Sequence, residues 1–290
     1  MNIAKLFLII FVTTIVMGAE AWGGTGGYFV TYNSNIEKGE IELMFMTDIT
    51  APSRFKREEG QGNYLSHMLE LEYAPLHQFA TEFMIEWFED METGDAKFTG
   101  FRWENRFRLF KKNVPLNPMI YVEYEDLDPA TRYKMEVSGW INPPYEESGE
   151  EPDRERILES RLILSQDFGP VNIAFNWINE TELETGHTAF GYSLGTMWMI
   201  HKKHEHSHGE ENHKSKEKEE HEGGMGLGLE FYGALGDSKS FGLKPSRQEH
   251  YVGPIFMYHI DEHWMFHTQL AIGLSKASDN LARINFAYEF

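Results

Sequence analysis

The most regular feature of the chain is an alternation of apolar and polar positions with a period of two, recurring in segment after segment. The last segment sets Ala282, Ile284, Phe286, Tyr288 and Phe290 on one face and Arg283, Asn285, Ala287 and Glu289 on the other. The one before it sets Trp264, Phe266, Leu270, Ile272 and Leu274 against His263, His267, Gln269 and Gly273. Twelve such segments lie near residues 40–50, 63–74, 78–90, 98–110, 117–127, 155–167, 171–182, 188–200, 224–236, 248–260, 263–275 and 280–290. They have the length of a tilted bilayer-crossing strand, about 9–11 residues. A thirteenth candidate, residues 132–142, is read as part of a long excursion, because single-chain bacterial barrels use even strand numbers.

The connections also alternate. Those at residues 74–77, 168–170 and 260–263 are tight, while 51–62, 90–97, 128–154, 237–247 and 276–279 are polar, three of them long. Short turns at one end and longer loops at the other are the pattern of a membrane barrel. The expected fold is therefore all-β: a membrane-spanning antiparallel β-barrel of about 12 strands, closed by the C-terminal strand ending at Phe290. Closure lets every backbone group find a partner inside lipid without a single helix.

The N-terminus reads as an export signal. Lys5 precedes an apolar run from Leu6 to Met17, and Ala19-Glu20-Ala21 offers small residues at the cleavage positions. The expected organisation is a signal peptide at 1–21, a Gly-rich lead-in at 22–38, and the barrel at 39–290 with a His-rich loop at 201–222.

The C-terminal strand resembles the Gram-negative outer-membrane β-barrel class, a porin-like group whose members commonly end in Phe with apolar or aromatic residues at alternate positions before it. Ile284, Phe286, Tyr288 and Phe290 match that pattern. The resemblance implies residence in the outer membrane, contact with its lipid, and delivery by the barrel-assembly machinery, which reads this strand. A shorter run, Glu104-Asn105-Arg106-Phe107-Arg108, resembles strands of small sugar-acid and nucleoside channels, which also have twelve strands.

Composition narrows the function classes. The chain carries no cysteine, which removes a lipoprotein anchor, disulfides and thiolate metal sites. Its net charge of -20 gives no electrostatic footprint for nucleic acid. Aromatics at 14% beside 25% charged residues suit a greasy exterior around a polar interior.

The inward faces carry the charge. Arg102, Glu104, Arg106 and Arg108 share one face, flanked by Glu82 and Glu86 on one neighbouring segment and Glu123 and Glu125 on the other, with Glu159 and Arg161 beyond. Facing residues on neighbouring strands are close enough to pair. This set is either a salt-bridge network filling the lumen or a basic stripe that guides anions.

A second constellation spans His201, His204, His206, His208, His213 and His221, among seven glutamates and five lysines. Clustered imidazoles without thiols suit zinc, copper or nickel. The His-Glu-x-x-His spacing of metallopeptidases is absent, so buffering or sensing is expected rather than catalysis. Four segments separate this tract from Phe290, which places it at the same, periplasmic, end. His187, His250, His259, His263 and His267 are the remaining candidates for a base, but no Gly-x-Ser-x-Gly elbow accompanies them. The reading is a non-enzymatic, narrow passive channel or transport-associated barrel with a metal-interacting periplasmic loop. An outer-membrane enzyme, or a plugged structural barrel that docks a periplasmic protein, is the alternative.

Overall fold

The computed structural model describes residues 27–53, 63–110, 114–128, 154–200 and 224–290. These form twelve strands: β1 (Ile41–Ala51), β2 (Tyr64–Leu76), β3 (Phe79–Asp90), β4 (Ala96–Arg108), β5 (Met119–Leu127), β6 (Glu155–Phe168), β7 (Val171–Glu182), β8 (Thr188–Ile200), β9 (Met225–Asp237), β10 (His250–His259), β11 (Trp264–Gly273) and β12 (Asn280–Glu289). Each pairs antiparallel with its sequence neighbours, and β12 pairs with β1 to close the barrel. The expected fold and strand number match this architecture. The export signal, the 132–142 segment and the His-rich tract lie outside the described residues.

Alternation sets the two faces. Along β1 the exposed Ile41, Leu43, Phe45 and Ile49 alternate with the buried Glu42, Met44, Met46 and Asp48. The same holds on β12, where Phe286 faces out while Arg283, Asn285 and Ala287 face in. Leu71, Phe83, Trp103, Leu162, Leu194, Leu227, Leu270 and Ile272 continue the outer apolar surface around the circumference. An apolar outer wall around a charged interior inverts a soluble protein and requires lipid outside. Rings gather towards the end that holds Phe290: Trp264 packs edge-on against Tyr288, Tyr288 against Phe290, and Phe79 against Phe107.

The strand ends divide into two rims. Phe290 N–H donates to Ile41 O at 3.0 Å, Ile200 pairs with Met225, and His259 pairs with Met265. All of these mark one rim, which also holds the tight β2–β3 and β6–β7 turns. The connection between β8 and β9, which carries the His-rich tract, leaves and returns at this rim. Read by the class rule that this is the periplasmic side, the opposite rim carries the β1–β2, β5–β6 and β9–β10 connections.

Candidate functional site: a lumen filled by the N-terminal segment

Twelve strands enclose more space than their own side chains fill, since about eight suffice for a packed interior. The residues ahead of β1 occupy the remainder. Tyr28 through Asn35, together with Ile36, are all buried inside the lumen. The lead-in is thus a plug. It approaches from the half nearer the Phe290 rim, where Tyr28 donates to Asn172 Oδ1 at 3.0 Å. Val30 packs against Ile178, Tyr232, Tyr251, Ala271 and Leu281. The chain then returns, with Ile36 among Ala74, Ala80 and Met119. Gly39 N–H donates to Ala74 O at 2.7 Å and hands the chain to β1.

The plug is held mainly through its backbone. Glu230 on β9 accepts from three successive N–H groups: Val30 at 2.9 Å and Thr31 at 2.7 Å on Oε1, and Phe29 at 3.3 Å. Its second oxygen accepts from Gln269 Nε2 at 2.5 Å. Successive amides converging on one anion form a nest. Asn176 brackets Tyr32, accepting from its N–H at 2.7 Å and donating to its carbonyl at 2.8 Å. Ser34 N–H donates to Ser165 Oγ at 3.0 Å. Gly195 makes room for one ring: a Cβ there would lie 2.5 Å from Tyr28 Cε1.

The charged residues singled out from the sequence surround this segment. Arg102 Nε pairs with Glu86 at 3.0 Å, and its Nη1 pairs with Glu125 at 2.8 Å and Glu123 at 3.2 Å. Arg106 pairs with Glu72 at 2.6 Å, Glu104 at 2.9 Å and Glu82. Arg161 pairs with Glu159 and donates to the plug carbonyl of Val30 at 2.7 Å, and Arg108 donates to the carbonyl of Ser34. Tyr32 from the plug lies between these groups. Its hydroxyl donates to Glu104 at 2.8 Å, and the guanidiniums of Arg161 and Arg106 stand 5.0 and 5.3 Å from its ring centre. Burial raises the Tyr32 phenol well above its ordinary range, with Glu104 and Glu82 adding to it, so the hydroxyl stays a donor. With Glu72 included, seven carboxylates face four guanidiniums, so the group is acidic overall.

Of the candidate histidines, His259 and His267 lie near one another on the β10–β11 pair, while the others stand apart. His187 stands 3.5 Å from Asp237, His250 Nδ1 lies 3.2 Å from Tyr192 Oη, and His263 stacks on Tyr288. His267 faces the lumen and is fully buried. Ile284, Phe286 and Tyr288 line the outer face of β12, and Phe290 follows at its end. The six metal-candidate histidines between 201 and 221 lie outside the described residues. Sequence reasoning missed the plug and its ligands Glu230, Asn176 and Asn172. It also missed Glu72, and the Asp48–Arg283 pair at 2.8 Å. An alternation count marks these residues as inward-facing but not what they hold.

No protein-family model and no curated protein matches the chain. Among solved structures it is similar to an outer-membrane channel from Pseudomonas putida F1, with 10% identity, a TM-score of 0.47, and coverage of 88% of this chain and 97% of that one. It is also similar to the monoaromatic hydrocarbon channel CymD, with 12% identity, a TM-score of 0.41, and coverage of 92% and 96%. The toluene transporter TbuX of Ralstonia pickettii gives 9% identity, a TM-score of 0.39, and coverage of 94% and 96%. Similarities this low carry no information about a solute.

Proposed function

We propose that the protein is a plug-gated channel of the outer membrane, closed at rest by residues 28–36 and preferring cations once open. The observation that carries this reading is the nature of the filling. A permanently sealed barrel needs only side chains in its lumen. Here a separate stretch of chain fills it, gripped by hydrogen bonds from β4, β6, β7 and β9 and tethered at the periplasmic rim. Such a segment can leave as a unit. The excess of carboxylates around it would attract cations and repel anions, as acidic rings do in cation channels.

The test is conductance in planar bilayers. Full-length barrel should conduct poorly, and a variant with residues 28–36 replaced by Gly and Ser should conduct at least tenfold better, with cation selectivity. Because the native chain has no cysteine, Ser34→Cys with Ser165→Cys gives an independent lock. The oxidised pair should suppress openings and reduction should restore them. Equal conductance in all forms would overturn the gating.

The reading includes metal binding by the His-rich connection at the periplasmic rim. Its support is compositional: six imidazoles within 21 residues and no thiol. Calorimetry should show zinc, copper or nickel uptake that disappears when His204, His206 and His208 become Ala. A tag at Ser215 should be hidden in intact cells and exposed once the outer membrane is opened.

A further inference from the structure

We propose that the periplasmic half of the lumen contains a binding site for a soft monovalent metal ion, Cu(I) or Ag(I), formed where Met197 and Met199 of β8, Met257 of β10 and His267 of β11 meet around the glycines of β9.

The methionines of the lumen are distributed unevenly. Met44, Met46, Met68, Met84, Met197, Met199, Met257 and Met265 all point inward; Met197, Met199, Met257 and Met265 lie near the strand ends at the Phe290 rim, while Met46 and Met68 sit near mid-strand. The strand register joins them into a stripe. Met197 and Met199 stand opposite Gly228 and Gly226, and Gly226 stands opposite Met257. Met257 stands opposite His267, and His259 opposite Met265. Met265 in turn packs against the cluster of Met44, Met46, Met68 and Met84.

Three thioethers converge over Gly226. A side-chain carbon placed there would lie 3.1 Å from Met197 Sδ, 3.3 Å from Met199 Sδ and 3.0 Å from Met257 Cε. The two sulfurs are therefore within 6.4 Å of each other, the sum of 3.1 and 3.3 Å. Glycine at 226 keeps this space for them.

Methionine often serves only as an adaptable filler of apolar gaps. His267 argues against filler alone. It is fully buried, and neither ring nitrogen has a hydrogen-bond partner, although Phe29 of the plug meets the ring edge-on. A polar group buried without a partner is costly, and a metal on one nitrogen would offset that cost. Thioether and imidazole together select soft ions. None of the four donors carries charge, which disfavours a divalent ion, whose dehydration would go uncompensated, more than a monovalent one. Calcium and magnesium require oxygen ligands, and none of these four residues supplies one. Met265 and His259, nearer the rim, extend the same chemistry towards the periplasm. All four donors belong to the wall, with Gly27 and Phe29 of the N-terminal segment packed beside them, and metal uptake, not conductance, tests the site.

The test uses the full-length refolded barrel with His201, His204, His206, His208, His213 and His221 replaced by Ser, so that the loop cannot contribute. Titration with Ag(I), followed by calorimetry and metal analysis, should give one tight site per barrel. Zinc should not compete for it. Met→Leu conserves volume, so Met197→Leu with Met257→Leu should leave the barrel folded and weaken Ag(I) binding at least tenfold, as should His267→Leu. Should a variant fail to fold, methyl-labelled methionine in the unsubstituted wall gives a second readout. Ag(I) should shift the Met197, Met199 and Met257 methyl signals and leave Met119, on β5, unmoved. No Ag(I) uptake without the loop histidines, full retention in the Leu variants, displacement by zinc, or equal shifts at Met119 would each overturn the site.

Discussion

Glu230 offers the sharpest test of how the lumen is closed. Its Oε1 receives Val30 and Thr31 N–H at 2.9 and 2.7 Å, and Phe29 N–H lies at 3.3 Å from both oxygens. A hydrogen bond to a charged acceptor contributes about 1.5–3 kcal/mol net, so Glu230→Ala removes roughly 3–6 kcal/mol from the seated plug, counting only the two short bonds. At about 1.4 kcal/mol per factor of ten, the ratio of unseated to seated forms rises on the order of 10²- to 10⁴-fold. Glu230→Gln keeps one oxygen but loses the charge, and its new amide faces the amide of Gln269. Roughly half the effect is expected, because neutral hydrogen bonds are about half as strong. A single cysteine at Val30 reports the position of the plug by its rate of maleimide labelling in vesicles, and single-channel recording reports the pore. Both readouts should rise in the order wild type, Gln, Ala, with an inward control such as Ser66→Ala unchanged. A folded Glu230→Ala barrel whose labelling and conductance stay at wild-type values would refute the argument that this carboxylate seats the plug.

Three further outcomes follow from the wall. Arg106→Ala leaves Glu72, Glu82 and Glu104 without their shared cation, and should cost about 3–5 kcal/mol, read as a lower temperature of heat-modified gel mobility. Leu194→Arg, midway along β8 on the lipid face, should cost about 2–4 kcal/mol of insertion, while Asn285→Ser, facing inward, should cost much less in vesicle folding. Glu40, just ahead of β1, has its carboxyl pushed up to about 8 by burial and then by the nearby Glu72 and Glu289. Between the ordinary carboxylate value and about 8 the folded form holds a proton that the unfolded form has released. Stability should therefore fall as pH rises through that window, and Glu40→Gln should flatten the slope in denaturant titrations across pH.

The strands were legible because their signal is local. Ile41, Leu43 and Phe45 alternate within five residues, and the same period recurs up to Phe290. The charged network was also legible, since Arg102 and Arg106 share a parity that strand pairing turns into contacts with Glu86 and Glu125 and with Glu82. The plug was not. Residues 28–36 carry a short alternation of their own, Val30, Tyr32 and Ile36 against Thr31, Asn33 and Asn35, but nothing local says that they enter the lumen, and their partners lie far off in the chain, with 144 positions separating Tyr32 from Asn176 and 199 separating Thr31 from Glu230. The stripe of methionines left a trace that alternation obscures: on β1, Met44 and Met46 place an apolar stretch between Glu42 and Asp48 on the inner face. Such a stretch inside a membrane barrel signals that something other than water adjoins it.

The plug explains why polar side chains of β4, β6, β7 and β9 face the lumen. A barrel of twelve strands needs additional material inside, and an inserted stretch of backbone brings N–H donors with no strand to receive them. Each donor buried without an acceptor would be costly. Side-chain carboxylates and amides on the wall must therefore complete the ladder that a neighbouring strand would otherwise supply. Glu230 does so for three successive residues, Asn176 for both backbone groups of Tyr32, and Arg161 and Arg108 for the carbonyls of Val30 and Ser34. On this account the wall polarity on β4, β6, β7 and β9 is matched to a segment of the same chain, and the solute encounters it only after that segment has moved. Substitutions at these four strands should then alter the frequency of opening more than the conductance of the open state. Substitutions at positions that do not touch the plug, such as Glu86 beside Arg102, should alter the conductance and selectivity of the open state and leave its frequency in place. Single-channel records separate the two quantities. An Asn176→Ala barrel with altered unit conductance but unchanged opening frequency would show that the wall is built for the solute.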